Sequence, residues 1–389
     1  MFKSKVLQLF QTLDTASRRQ LYQLIQSKHT CSHTAIQRFW DYFLEKKYLS
    51  ARNTTKAKVY AHCFPAQVYD DAKLRRLSSN ALSFLEENIR YFEKKETAID
   101  TKIHQLDYYR QHDLIIFGKA LFKNLEQELA ALPYRDEQYY LKRYLMGVEK
   151  FAWEGQDRRL AGNNLQQLTQ DLHYFYTIAT LKYACISLTH QNLRQANYHI
   201  PLLQSTLAQI ETEPAAVPPA VQLYYHAFLA LQNGAQAQQH FQALKQLLLE
   251  ASPTSIVQDP KEVLLLAINY CIKQINSGDD VYIRETFELY LFGLKQHILV
   301  QTNGFLSRHT FKNIIAVGLR LCEFEWVEHF IRSASQWLET PYVTAQVEYN
   351  TAKLYMSQQN FEPAIRLLQQ VDFDDIFMNM DAKVMLLNM

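Results

Sequence analysis

Glycine is scarce in this chain of 389 residues: there are 9, beside 10 prolines. Hairpin turns, phosphate-cradling loops and doubly wound nucleotide folds need residues at positive φ, which glycine adopts without steric cost. So low a glycine content argues against all three. The closest pair, Gly155 and Gly162, stands seven apart, so no glycine-rich cofactor fingerprint is present. Nor does the chain contain H-E-x-x-H, G-x-S-x-G or G-x-x-x-x-G-K-[ST]. Cysteine is sparse and unpatterned: Cys31, Cys63, Cys185, Cys271 and Cys322 are odd in number and form no C-x-x-C pair. That points to a reducing compartment rather than a disulfide framework. The last three lie in apolar stretches and are expected inside, as small hydrophobes. No run approaches the roughly 20 apolar residues of a spanning helix. The opening Met1-Phe2-Lys3-Ser4-Lys5 leads into an amphipathic helix rather than a leader's apolar core. The expectation is a cytoplasmic protein without membrane contact.

What is present is helical periodicity and many large rings, 24 Tyr and 22 Phe. Long helices packed side by side use such side chains. Val6, Leu7, Phe10 and Leu13 make a first stripe. Leu21, Leu24 and Ile25 make a second, after a helix start at Asp14 to Ser17. Ile36, Phe39, Trp40, Phe43 and Leu44 make a third. Residues 50–67 read as polar and irregular. Asp70 to Phe92 reads as a long helix burying Leu74, Leu77, Ala81, Leu82, Leu85, Ile89 and Phe92. These elements form a basic helical head, 1–95. Its residues 1–62 carry 11 Lys and Arg against 3 Asp and Glu, while the whole chain is only +2.

From residue 96 the pattern becomes paired helices. Candidate pairs run Ile99 to Gln111 with Leu114 to Leu132, and Leu165 to Leu188 with a helix reaching Ile210. Further pairs are 220–232 with 235–250, 261–276 with 281–299, and 307–321 with 324–338. Asp136 to Trp153 is a helix rich in Tyr, followed by a loop at Gly155 to Asn164. In the helix from Leu165, the residues read as inward are Leu172, Phe175, Tyr176, Ala179, Tyr183 and Ala184. Glu211 to Pro219 is the strongest break, read as a long loop between repeats. The turns within pairs fall near His190, Gly234, Gly278, Glu323 and Asn360, at spacings of 44, 44, 45 and 37. A recurring period of this kind marks a solenoid.

The clearest unit is Tyr342 to Val371. Val347, Thr351, Leu354 and Tyr355 share one helical face; Phe361, Ala364, Ile365, Leu368 and Val371 share another. The polar break Ser357-Gln358-Gln359-Asn360 allows only a tight turn, so the two helices lie antiparallel. Pro363 falls in the first turn of the second helix, where its missing N–H costs little. With Ala345 as first position, Ala352 and Tyr355 take the small and aromatic positions of a tetratricopeptide repeat. Ala364, Leu368 and Val371 take its second-helix packing positions. The unit thus resembles that family, and departs from it at Glu348, Thr351 and Ile376. The resemblance covers about a tenth of the chain. It implies an all-α, right-handed α-solenoid of antiparallel helix pairs over 96–389, TPR-like, with HEAT-like units of roughly 40–47 residues as the alternative. Asp381 to Met389 reads as the apolar opening of one more helix, so the expectation is a chain cut within a further repeat.

The function implied is a non-enzymatic helical-repeat scaffold that binds a protein or peptide in its groove, with no cofactor. By the resemblance, Tyr349, Lys353 and Met356 line that groove. The alternative is a nucleic-acid-associated regulator. Arg18, Arg19, Lys46, Lys47, Lys73, Arg75 and Arg76 would meet phosphates, with Asp70 to Phe92 as recognition helix. A second basic-aromatic stretch, Tyr134 to Arg159, offers Tyr139, Tyr140, Tyr144 and Trp153 for base stacking. Its bland reading is that Tyr140, Tyr144 and Val148 follow one helix face into the core. His29, Cys31, His33, His62 and Cys63 offer zinc-type ligands, but at spacings that suit a polar loop better than a tetrahedron. The acidic pairs Asp70-Asp71, Glu86-Glu87, Asp279-Asp280 and Asp374-Asp375 read as helix starts or surface. An enzyme would need an active site assembled from distant residues.

Overall fold

A computed structural model describes residues 4–26, 34–45, 49–50, 52–92, 98–154, 164–194, 197–212, 217–232, 234–250, 256–300, 304–370 and 376–387. Among them the chain is all-α, without a strand; one isolated bridge joins Val300 and Leu306. It forms two compact units, Met1–Leu121 and Phe122–Met389. The division falls further along than the 95/96 boundary read from the sequence.

The first unit holds α1 (Lys5–Thr12), α2 (Thr15–Gln26), α3 (Thr34–Leu44), α4 (Lys56–Cys63), α5 (Asp71–Phe92), α6 (Ala98–Gln111) and the start of α7 (Ile115–Ala131). Asp14 starts α2 by accepting from the Ser17 N–H at 2.7 Å. Asp70 does the same for α5, accepting from the N–H groups of Ala72 (2.9 Å) and Lys73 (3.1 Å). Both are N-cap roles, which satisfy donors that the helix itself leaves unpaired. The expected stripes converge on one core. Leu7, Phe10, Leu21, Ile25, Phe39, Trp40, Phe43, Val59 and Leu85 are all essentially inaccessible. Its rings meet at angles: Phe39 and Trp40 edge to face at 5.4 Å, Phe39 and Phe43 at 5.0 Å. The segment 50–67 is not wholly irregular, since it contains α4. That helix has only Val59, Tyr60 and Cys63 inward, too few apolar residues to announce a helix.

The second unit continues with α8 (Glu137–Glu154), α9 (Leu165–Arg194), α10 (Leu203–Thr212), α11 (Pro219–Leu231), α12 (Ala237–Glu250), α13 (Pro260–Asn276) and α14 (Val281–Lys295). It ends with α15 (Arg308–Arg320), α16 (Phe324–Ala334), α17 (Val343–Ser357), α18 (Phe361–Gln370) and α19 (Ile376–Leu387). Helices α11 and α12, α13 and α14, α15 and α16, and α17 and α18 pack as pairs. The first helices also touch along the row, α11 on α13 and α15 on α17. The arrangement is compatible with a helical repeat.

Three of these pairs turn the same way. After α13, α15 and α17 stand Gly278 (φ 98°), Cys322 (φ 59°) and Gln359 (φ 61°), each left-handed. The next N–H reaches back to a carbonyl five residues earlier: Asp279 to Gln274 (3.1 Å), Glu323 to Gly318 (3.0 Å), Asn360 to Tyr355 (2.8 Å). This C-terminal closure satisfies carbonyls that would otherwise lack partners. A non-glycine there costs about 1–2 kcal/mol, so the chain makes these turns with little glycine. Glycine serves elsewhere for close approach. A Cβ on Gly318 would lie 2.6 Å from Val327, and one on Gly293 would lie 2.6 Å from Leu264.

Ion pairs join one helix pair to the next, about one period apart in sequence. Lys245 of α12 binds Glu285 (2.5 Å) and Glu288 (2.6 Å) of α14. Arg284 binds Glu323 at 2.9 Å, and Arg320 binds Asp280 at 2.7 Å. Lys182 of α9 bridges Glu137 (2.9 Å) and Glu262 (3.0 Å). The sequence separations of 40, 43, 39 and 45 residues (Lys245 to each acid, Arg284 to Glu323, Lys182 to Glu137) match the spacing of the turns.

Several expectations are corrected. Helix α9 does not turn near His190 but runs to Arg194; the break comes later, at Pro201 and the left-handed Leu202. Its inward face is rotated from the one expected. Leu172, Tyr176 and Tyr183 are exposed (40%, 38% and 62%), while Asp171, Thr177, Ile178, Leu181 and Cys185 are buried; Ala184 is buried as expected. The cause is packing on two sides, against α8 and α11. Asp171 can be inside because Arg143 neutralises it. Val148 is likewise exposed, though Tyr140 is buried. Cys322 is exposed at its turn, while Cys185 and Cys271 are buried as expected. The last helix begins at Ile376 rather than Asp381. The loop read at Gly155 to Asn164 lies, but for Asn164, outside the described residues.

Candidate functional site

The residues expected to line a groove come together with partners the sequence did not nominate. Tyr349 and Lys353, four apart on α17, share one helix face. Tyr349 is fully buried, so it is not an exposed groove residue. Its hydroxyl donates to the Asp381 carboxylate of α19. Lys353 Nζ reaches the same carboxylate at 2.8 Å and lies 4.7 Å from the Tyr349 ring centre. Lys312 of α15 also approaches this ring, its Nζ 5.4 Å from the centre. Nearby on α15, Arg308 lies 4.9 Å from the ring centre of Tyr342. Met356 is half-buried, packed on the apolar cluster of Tyr349, Ala352, Leu368, Met378, Ala382 and Met385.

The electrostatics are lopsided. Burial alone would push the Asp381 carboxyl up. Hydrogen bonds from Lys353 and Tyr349 and the charge of Lys312 outweigh it and hold the group below the ordinary carboxylate range. Asp381 is therefore ionised at neutral pH. Among the described residues one carboxylate, Asp381, faces both Lys353 and Lys312. That local balance is positive, beside a tyrosine face that itself attracts cations. Lys312 and Asp381 escape sequence reasoning because they come from different helices. The available signal is Asp381 itself, an acid opening an otherwise apolar stretch.

Among the described residues, several head cations are engaged by neighbouring groups. Lys56 and Arg75 both pair with Asp71, at 2.8 and 2.6 Å. The Arg18 guanidinium lies over Phe10 at 4.9 Å. Lys73 bonds Gln67 at 2.6 Å and sits 4.4 Å from the Phe64 ring centre. Arg19 and Arg76 are exposed. Lys46 and Lys47 lie outside the described residues, as do His29, Cys31 and His33 of the zinc reading. Of its other members, His62 is exposed while Cys63 is buried, its thiol pushed up to about 12 by burial.

A third arrangement is a polar cavity of about 250 Å³ among α7, α8 and α9. Arg143 Nε binds Asp171 at 3.1 Å and its Nη1 donates to the Tyr139 hydroxyl at 3.2 Å. Gln167 also donates to Asp171, at 3.1 Å. In the same lining Lys150 pairs with Glu126 at 3.0 Å. Asn164 donates to the Gly147 carbonyl at 2.9 Å, while its buried Oδ1 accepts nothing. Among the described residues the charged groups of this lining stand in pairs, and Arg143 is engaged by both Asp171 and Tyr139. Arg158 and Arg159 lie outside the described residues.

Among the described residues no group of three or more His, Cys, Asp and Glu gathers in reach of one metal ion. No family model matches the chain, and neither curated proteins nor solved structures offer a similar one.

Proposed function

We propose that this chain is a non-enzymatic, TPR-like helical-repeat scaffold whose partner is a protein or peptide with an acidic segment. The observation that carries this reading is the positive balance, among the described residues, where α15, α17 and α19 meet. Lys353 pairs with Asp381, and the charge of Lys312 acts on the same carboxylate. Stacked helix pairs whose first helices touch, α11 on α13 and α15 on α17, provide faces for an extended segment. The common turn at Gly278, Cys322 and Gln359, and ion pairs about one period apart, support reading the body as repeats. Lys353 keeps the groove role read from the sequence, now beside Lys312; Tyr349 acts beneath them as a buried support.

The reading places the protein in the cytoplasm. The scattered, unpaired cysteines favour this. The nucleic-acid alternative has less support, since Lys56 and Arg75 are both committed to Asp71.

Capture from native lysate on the immobilised full chain, with nuclease, tests the proposal. Wild type should retain a protein partner that Lys312→Glu loses and that rising salt weakens. Retention unchanged by Lys312→Glu overturns the acidic-segment reading. Nucleic acid that is retained without nuclease and released by salt favours the alternative.

A further inference from the structure

Helices α11 and α12 bring two imidazoles face to face. His226 Nδ1 and His240 Nδ1 stand 2.9 Å apart, the rings tilted by 36° with centres 5.2 Å apart. Tyr225 packs on both rings, its centre 5.4 Å from His226 and 5.9 Å from His240. The Tyr225 hydroxyl donates to Glu211 of α10 at 3.4 Å, so a carboxylate lies on the far side of this tyrosine.

We propose that His226 and His240 form a two-imidazole site for a nitrogen-preferring divalent transition ion of the Zn²⁺ or Ni²⁺ class. The spacing is the first argument. Two metal–imidazole bonds of about 2.0–2.1 Å place their nitrogens roughly 3.3 Å apart at a tetrahedral angle and roughly 3 Å apart at a right angle. The observed pair needs to open by at most a few tenths of an ångström. The field is the second, because the Glu211 carboxylate, held by the Tyr225 hydroxyl, favours a cation at this end of the helix pair. At 2.9 Å one Nδ1–H can donate to the other Nδ1, and an ion would replace that hydrogen bond with two metal–nitrogen bonds. Two ligands come from the protein and the remaining positions fall to water. Imidazole as the only protein donor selects against Mg²⁺ and Ca²⁺, which favour oxygen. The ion would clip α11 to α12.

Titrating the full chain with Ni²⁺ or Zn²⁺ by calorimetry at pH 7.5 tests this. Wild type should take up one ion more tightly than the rest, with His226→Gln and His240→Gln each weakening that step by about tenfold or more, and Mg²⁺ giving no heat. The same ions should raise the melting temperature of wild type but not of the double variant. Equal uptake by wild type and the double variant overturns the proposal: the ions then sit on other histidines or on Cys322. Should a variant fail to fold, nitrogen NMR of the wild-type imidazoles decides. Ring signals of His226 and His240 that stay unmoved by Zn²⁺ overturn the site; a selective shift of both supports it.

Discussion

In the N-terminal unit Phe10, Phe39, Trp40 and Phe43 fill one core closed on every side by α1 to α5. In the C-terminal unit the apolar contacts are spread along a row of helix pairs, and charged groups reach between them. Asp136 and Asp171 are buried there, as are Gln346 and Asn350. The difference is one of geometry. A closed core is specified by how much apolar surface meets at one place, and polar groups there only cost. Stacked pairs present similar apolar faces to one another, so apolar matching alone does not fix which pair meets which, or in what register. Lys245 between Glu285 and Glu288, and Lys182 between Glu137 and Glu262, supply that information. Burial would lower both lysines, yet hydrogen bonds to their acids outweigh it and raise both.

The sharpest way to break this comparison is a cavity in the closed core. Phe39→Ala should cost about 3–5 kcal/mol. By scanning calorimetry it should lower the melting of the first unit, while the ellipticity of α11 to α18 survives to its own transition. A single shared transition would show that the two units do not melt separately. Next comes Gly293→Ala, whose added Cβ meets Leu264 at 2.6 Å and Leu299 at 2.8 Å. Overpacking of this kind costs about 1–3 kcal/mol, readable as a lower urea midpoint at unchanged slope. An unchanged midpoint would mean the two leucines turn aside without strain.

Smaller still is Lys245→Met, which leaves Glu285 and Glu288 without their shared cation. A loss of about 1 kcal/mol is expected for so partly exposed a cluster. Unlike the core variant, its cost should shrink as salt rises. A further effect is in pH. The folded state holds His226 well below its ordinary 6.5, at about 4, so the unfolded chain binds its proton first. Stability should therefore fall as pH drops from about 6.5 towards 4, and level off below. The slope has a ceiling of about 1.4 kcal/mol per pH unit for one proton, lowered here by solvent access. In metal-free buffer His226→Gln should flatten this part of the profile.

The same contrast governs how much of the fold is legible in the sequence. The stripes of α1, α2, α3 and α5 are legible because the apolar residues of each helix all turn towards one shared core. Helix α9 misleads because it is packed on two sides. Ile178 and Leu181 compete there with a more conspicuous row, Leu172, Tyr176 and Tyr183, that faces outward. Helix α4 escapes notice since three inward residues do not make a pattern. The helix pairs and most of their turns are legible from polar breaks at a steady interval. The site is legible only in part. Lys353 follows from its place on α17, but Asp381 and Lys312 lie on other helices, and no spacing within one helix foretells a contact among three. Nor does anything local announce that His226 and His240, fourteen residues apart, point at each other across a turn.

Cys322, exposed and held left-handed where α15 hands over to α16, also gives the molecule a reporter. Cys63, Cys185 and Cys271 are shielded and kept protonated by burial. In a Cys31→Ser background a maleimide dye should therefore label this one corner of the chain. It would sit beside Glu323, where Arg284 of the preceding pair makes its ion pair. Its emission would follow the joint between two helix pairs directly.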